Sequence, residues 1–150
     1  MLKKLEQYGS FLLPVLAALS SPLTLFVGNY PDVGIEDVYR SLWISASAAV
    51  SIMGVFWIIF RDRIQTILTS IAAIAIFFSY GHLYRVVKTW NVVGISVGRH
   101  QYLLPLLASL FLSWLVWICR NQKARQNWYA FFQVAVIIHL LFSVEPLRLT

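Results

Sequence analysis

Trp57-Ile-Ile-Phe-Arg-Asp-Arg-Ile-Gln-Thr-Ile-Leu-Thr-Ser-Ile-Ala-Ala-Ile-Ala-Ile-Phe-Phe-Ser-Tyr-Gly-His-Leu-Tyr84 is the stretch that decides the fold class. From Ile64 to Tyr84 it carries no Asp, Glu, Lys or Arg. A membrane-spanning helix needs about 20 such residues, within roughly 17–25. Arg61-Asp62-Arg63 is a short charged break, and a second apolar run, Val38 to Phe60, precedes it. Working outward, the same pattern recurs at Phe11 to Asn29, Tyr102 to Cys119 and Trp128 to Phe142. The reading is an all-α polytopic membrane bundle of about five transmembrane helices, with residues 1–150 forming one module.

Composition supports that class. Hydrophobic residues make up 59% of the chain and charged ones 12%, with mean hydropathy +0.73, whereas soluble domains carry about 25% charged residues. The net charge of +6 does not indicate nucleic acid. The basic residues sit at the ends of apolar runs, where they act as topology signals, and form no stripe interleaved with aromatics. A single cysteine, Cys119, excludes an internal disulfide or a CxxC site and reads as a small buried hydrophobe.

Charge between the spans sets the orientation. With five spans, Lys3, Lys4, Arg61, Arg63, Arg120, Lys123 and Arg125 fall on one side with only Glu6 and Asp62. Arg40, Arg85, Lys88, Arg99 and Arg148 fall on the other, nearly cancelled by Asp32, Glu36, Asp37 and Glu145. The positive-inside rule then predicts a cytoplasmic N-terminus and an exterior C-terminus. A rival reading takes Lys3 to Ser20 as a cleaved signal peptide, which would leave four spans in the same orientation. Apolar character continuing through Thr24-Leu-Phe-Val27 argues for a retained first span. Trp128 and Tyr129 suit one aromatic belt; Tyr30, Trp90 and Tyr102 suit the opposite one.

Small residues predict contact faces, because helices in lipid associate by close approach. Ser47, Ser51 and Gly54 share a face of the second span, and Ala72, Ala75, Ser79 and His82 one of the third. Ser109 and Ser113 do so on the fourth, and Ala135, His139 and Ser143 on the fifth. This spacing turns His82 and His139 inward. Pro14 and Pro22 are expected to kink the first span. Glu36 and Asp37 suit the first turn of the second helix. Gly94 and Gly98 rule out continuous helix through the exterior break from Arg85 to Gln101.

Two polar clusters bracket that break, Ser79 to Arg85 and Gly98 to Tyr102. They nominate His82, Arg85, Arg99 and His100 as an anion or headgroup site, with Tyr80, Tyr84 and Tyr102 around it and His139 as an inner hydrogen-bond partner. Two arginines among neutral donors suit a phosphate, a sulfate or a lipid headgroup. The structural alternative is snorkelling or ion pairing of the arginines with Asp32, Glu36 or Asp37, and histidines satisfied by packing. A further reading takes the two inward histidines as axial haem ligands, although the spans supply no second histidine pair. No metal site and no resident cofactor is expected. G-x-S-x-G, Walker and H-E-x-x-H motifs are absent, as are paired carboxylates within a span, so we expect no enzyme active site in this chain.

Phe77-Phe-Ser-Tyr-Gly-His-Leu-Tyr84, the exterior segment, then Gly98-Arg-His-Gln-Tyr-Leu-Leu-Pro-Leu106 resembles the N-terminal transmembrane region of bacterial membrane-anchored sulfatase-like hydrolases of the alkaline phosphatase superfamily. Ile35-Glu-Asp-Val-Tyr-Arg-Ser-Leu42 fits the same region, so the resemblance covers nearly the whole chain through membrane motifs alone. It implies a multi-pass protein of the bacterial inner membrane, with an exterior catalytic domain following the module. The metal-binding carboxylates and histidines and the nucleophile of such hydrolases have no counterpart here, so no catalytic residue carries over. A fragment, a truncated product and a free-standing module all remain compatible with that pattern. The expected role is a membrane anchor that binds an anionic lipid for an associated exterior hydrolase. The alternative is a small stand-alone membrane protein packed against a larger transporter or enzyme complex.

Overall fold

A computed structural model describes residues 10–29, 34–88, 91–92, 95–96 and 100–144. Among the described residues there are five helices, in chain order α1 Leu12–Gly28, α2 Ile35–Phe60, α3 Arg63–Val87, α4 His100–Arg120 and α5 Gln122–Val144. A minimal antiparallel ladder, β1 Asn91–Val92 with β2 Ile95–Ser96, lies in the α3–α4 connection and pairs Asn91 with Ser96 and Val92 with Ile95. Helix is therefore interrupted in that connection, as the two glycines predict.

The helix ends follow local chemistry. Gly34 precedes α2, whose first turn carries Glu36 and Asp37 beside the positive end of the helix dipole. The turn from α2 to α3 takes only Arg61 and Asp62. Arg61 adopts the left-handed conformation (φ 51°), and the Asp62 carboxylate accepts a bond from the Gln65 amide at 2.8 Å. Asn121 alone joins α4 to α5, its side-chain oxygen accepting from the Ala124 amide at 3.0 Å. α5 begins six residues before the apolar run at Trp128, because Gln122 to Asn127, polar apart from Ala124, are residues that tolerate helix outside an apolar environment.

α1 and α3 are the hub. α1 packs on α2, α3 and α5, and α3 packs on α1, α2, α4 and α5. Buried residues account for 39% of the most apolar stretch of α3 against 11% in α2 and in α4. One core cluster joins Leu13, Ile67, Ile71 and Val136, with Phe11, Tyr129 and Phe132 against it. A second joins Ala18, Ala49 and Ile74. The Tyr129 hydroxyl donates to Ser10 Oγ at 2.7 Å, tying α5 to the residue just before α1. Trp114 of α4 meets Trp128 of α5 edge to face, so Trp128 packs between helices.

The periphery is apolar. Trp43 is 71% exposed, Ile58 70% and Phe142 68%, a surface that is stable against hydrocarbon and prone to aggregate in water. α2 from Glu36, α3 and α4 are each long and apolar enough to cross a membrane. α1 is equally apolar in character but shorter, at 17 residues.

Several packing expectations need correcting. Ser47, Ser51 and Gly54 are exposed, and the line α2 buries is Ser45 and Ala49 instead. Ser51 Oγ donates to the Ser47 carbonyl at 2.8 Å, so this hydroxyl needs no neighbouring helix. Ser109 is likewise exposed and bonded to the Leu106 carbonyl. Cys119, read as buried, is exposed because α4 turns it away from α3 and α5; Ile118 beside it is the buried residue. Pro22 sits inside an unbroken α1. Ser20 Oγ donates there to the Ala17 carbonyl and Thr24 Oγ1 to the Ser20 carbonyl.

Candidate functional site

α3 carries two chemistries on opposite sides. Tyr80 and Tyr84 are one turn apart and face α4, whereas Ser79 and His82 face α1 and α5, because a step of two residues along a helix is a rotation of about 200°. The polar cluster expected from the sequence is thereby divided by the helix that bears it.

On the first side, His100 opens α4 and packs its imidazole against Tyr84, ring centroids 4.2 Å apart and 13° from parallel. Tyr80 Oη is hydrogen-bonded to His100 Nδ1, and the two rings are also stacked. The phenol can donate to a neutral Nδ1, or Nδ1–H can donate to the phenol oxygen. Either arrangement ties the end of α3 to the start of α4 across the connection.

On the second side, His82 of α3 and His139 of α5 line one pocket of about 430 Å³. Ser20, Ser21 and Thr24 of α1 and Ser79 of α3 add hydroxyls to its wall, and Ile74 and Phe78 supply apolar surface. His82, His139, Ser79 and Thr24 are exposed, so the pocket opens at the side of the bundle. His139 lies five residues before the end of α5, or about 7.5 Å along the axis at 1.5 Å per residue.

Arg85 is exposed on α3, three residues beyond His82. Tyr102 is exposed on α4. Arg99, Tyr30, Trp90 and Asp32 lie outside the described residues, as does the side chain of Ser143. Of the nominated residues, then, His82 and His139 meet in one pocket and His100 belongs to a separate aromatic stack. Among the described residues no group of three or more His, Cys, Asp or Glu is placed to hold a metal ion.

The reading of the sequence missed Ser20, Ser21 and Thr24. Their signal was present as hydroxyls at i and i+4 on an otherwise apolar span, but Ser20 invited a signal-peptide explanation instead. It also missed Thr66, Thr69 and Ser70, all fully buried in α3. Thr66 Oγ1 donates to the Asp62 carbonyl, whereas Thr69 Oγ1 and Ser70 Oγ have no hydrogen-bond partner. Compared with protein-family models, with curated proteins and with solved structures, the chain matches none.

Proposed function

We propose that the chain is a five-span membrane module, with a cytoplasmic N-terminus and an exterior C-terminus, that binds the anionic headgroup of a lipid or lipid-linked substrate near its exterior face. The observation that carries this reading is the pocket shared by His82 and His139 with four hydroxyl side chains. Ionisable side chains at membrane depth are rare, and where they occur together they mark functional sites by default. Serine and threonine hydroxyls and neutral imidazoles both donate and accept, which suits phosphate or sulfate oxygens and the hydroxyls beside them. Arg85, about 4.5 Å further along α3 by helical rise, supplies the positive charge, with Arg99 from the following connection as its sequence partner.

The five-span count takes α1 and α5 as spans beside the three helices that are long and apolar enough to cross a membrane. At about 1.5 Å per residue α5 reaches about 34 Å and α1 about 25 Å, the latter close to the shortest usable length. The role as anchor for an exterior hydrolase rests on the resemblance of Phe77–Tyr84 and Gly98–Leu106 to the membrane region of sulfatase-like enzymes.

Orientation is tested with the native thiol. Cys119 is exposed at the Arg120 end of α4 and should react with a membrane-impermeant maleimide in inverted vesicles but not in intact cells. In a Cys119→Ser background, Lys88→Cys should give the opposite result; the same result for both positions rejects the topology. Binding is tested by mass spectrometry of lipids retained after mild-detergent purification. His82→Ala/His139→Ala and Arg85→Gln/Arg99→Gln should each lose an anionic lipid that the parent protein keeps. Unchanged retention in both rejects the pocket. The same pair of imidazoles fits haem ligation as a second reading, which a Soret band lost in His139→Ala would establish in place of headgroup binding.

A further inference from the structure

A second cavity of about 430 Å³ runs along the seam between α3 and α4, on the side of α3 away from His82. Ile76 and Phe77 form one wall and Leu104, Leu107 and Phe111 the other. Ala73 and Ala108 are too short to close the gap between them. The lined length, Ala73 to Tyr80 on one helix and Leu104 to Phe111 on the other, is about 10 Å by helical rise. Phe77 is 72% exposed beside it.

What distinguishes this groove is what stands at its exterior end. Tyr80 closes it and is bonded to His100, and Tyr84 lies one turn further, stacked on the same imidazole. Lys88, exposed at the end of α3, is one turn beyond Tyr84. Ala73, Phe77, Tyr80, Tyr84 and Lys88 are spaced three or four residues apart and so fall on one stripe. Along it the surface passes from hydrocarbon to hydrogen-bonding aromatic groups to a cation. A phospholipid presents the complementary order, from acyl chain through ester carbonyls to phosphate, and Lys88 complements a net negative headgroup specifically.

We infer that this groove seats one acyl chain of an anionic phospholipid, with the Tyr80–His100 pair beside its ester region and Lys88 on its headgroup. The site is separate from the histidine pocket, and α3 lies between them. Its ligand is a resident lipid of the surrounding leaflet.

The test is native mass spectrometry of delipidated protein in detergent, titrated with phosphatidylglycerol or with phosphatidylcholine of the same chains. The parent protein should favour phosphatidylglycerol by about fivefold, as expected of one lysine near the membrane surface at ~1 kcal/mol. Lys88→Gln should bring that ratio close to one while binding persists. Ala108→Phe, or Ala73→Ile from the opposite wall should the first variant not fold, should reduce adducts of both lipids with an unchanged circular-dichroism spectrum. His82→Ala/His139→Ala should leave the ratio as in the parent, so this site and the histidine pocket stand or fall separately. Equal affinity for the two lipids, a preference that survives Lys88→Gln, or undiminished binding by the filled-groove variants overturns the inference, as does a dimer in place of lipid adducts.

Discussion

The two halves of α3 differ sharply in burial. From Thr66 to Ile71 six consecutive residues are buried, so the helix is enclosed on every side. From Ala75 to Val86 no residue is buried, and both pockets described above open there. The enclosed half meets the core cluster of Leu13, Ile67, Ile71 and Val136 near the short Arg61-Asp62 and Asn121 turns. Buried packing is concentrated in one half of α3 and both pockets in the other.

Truncations in the two halves should separate most. Leu68→Ala, at a fully buried position, should cost about 2–5 kcal/mol, because lost packing contacts remain costly even where lipid removes the hydrophobic drive between helices. Phe77→Ala, at a position 72% exposed, should stay within about 0.5 kcal/mol. Thermal unfolding in detergent checks both, and similar melting points would dissolve the contrast.

Polar ties in the enclosed half come next. Asp62→Ala removes the α3 cap and should cost about 1 kcal/mol. Tyr129→Phe removes the bond to Ser10 and should cost about 0.6–1.5 kcal/mol, the range for membrane and soluble hydrogen bonds. Thr69→Val should be neutral or slightly stabilising, since that buried hydroxyl has no partner to lose. A loss above 1 kcal/mol there would mean that an internal water completes the site. The smallest stability effect is expected at the open end, where His139→Ala should move the melting point little while lowering anionic-lipid retention.

Some of this arrangement was legible from residues alone. Ile64 to Tyr84 could only be a long apolar helix, the charged breaks marked both tight turns, and Glu36 and Asp37 announced the start of α2. The spacing of His82 and His139 pointed to inward faces, but both are exposed; what the structure shows is that they line one pocket open at the side of the bundle. The grouping of His100 with His82 was not legible as two sites, because nearness in sequence to the same break does not say which side of α3 each neighbour occupies. The small-residue rule misplaced the contact face of α2 for a related reason: the Ser51 hydroxyl is satisfied along the helix by the Ser47 carbonyl, and both residues are exposed.

The sequence by itself determined the five helices seen among the described residues and the apolar character of their surface, since these follow from local periodicity and from the cost of unpaired backbone groups away from water. Only the tertiary structure decided that α1 and α3 are central, that α3 divides the polar residues into two sites, and which hydroxyls line a pocket. Those outcomes depend on the rotation of each helix against its neighbours. In an almost uniformly apolar chain, many rotations bury similar surfaces, so side-chain packing selects among them.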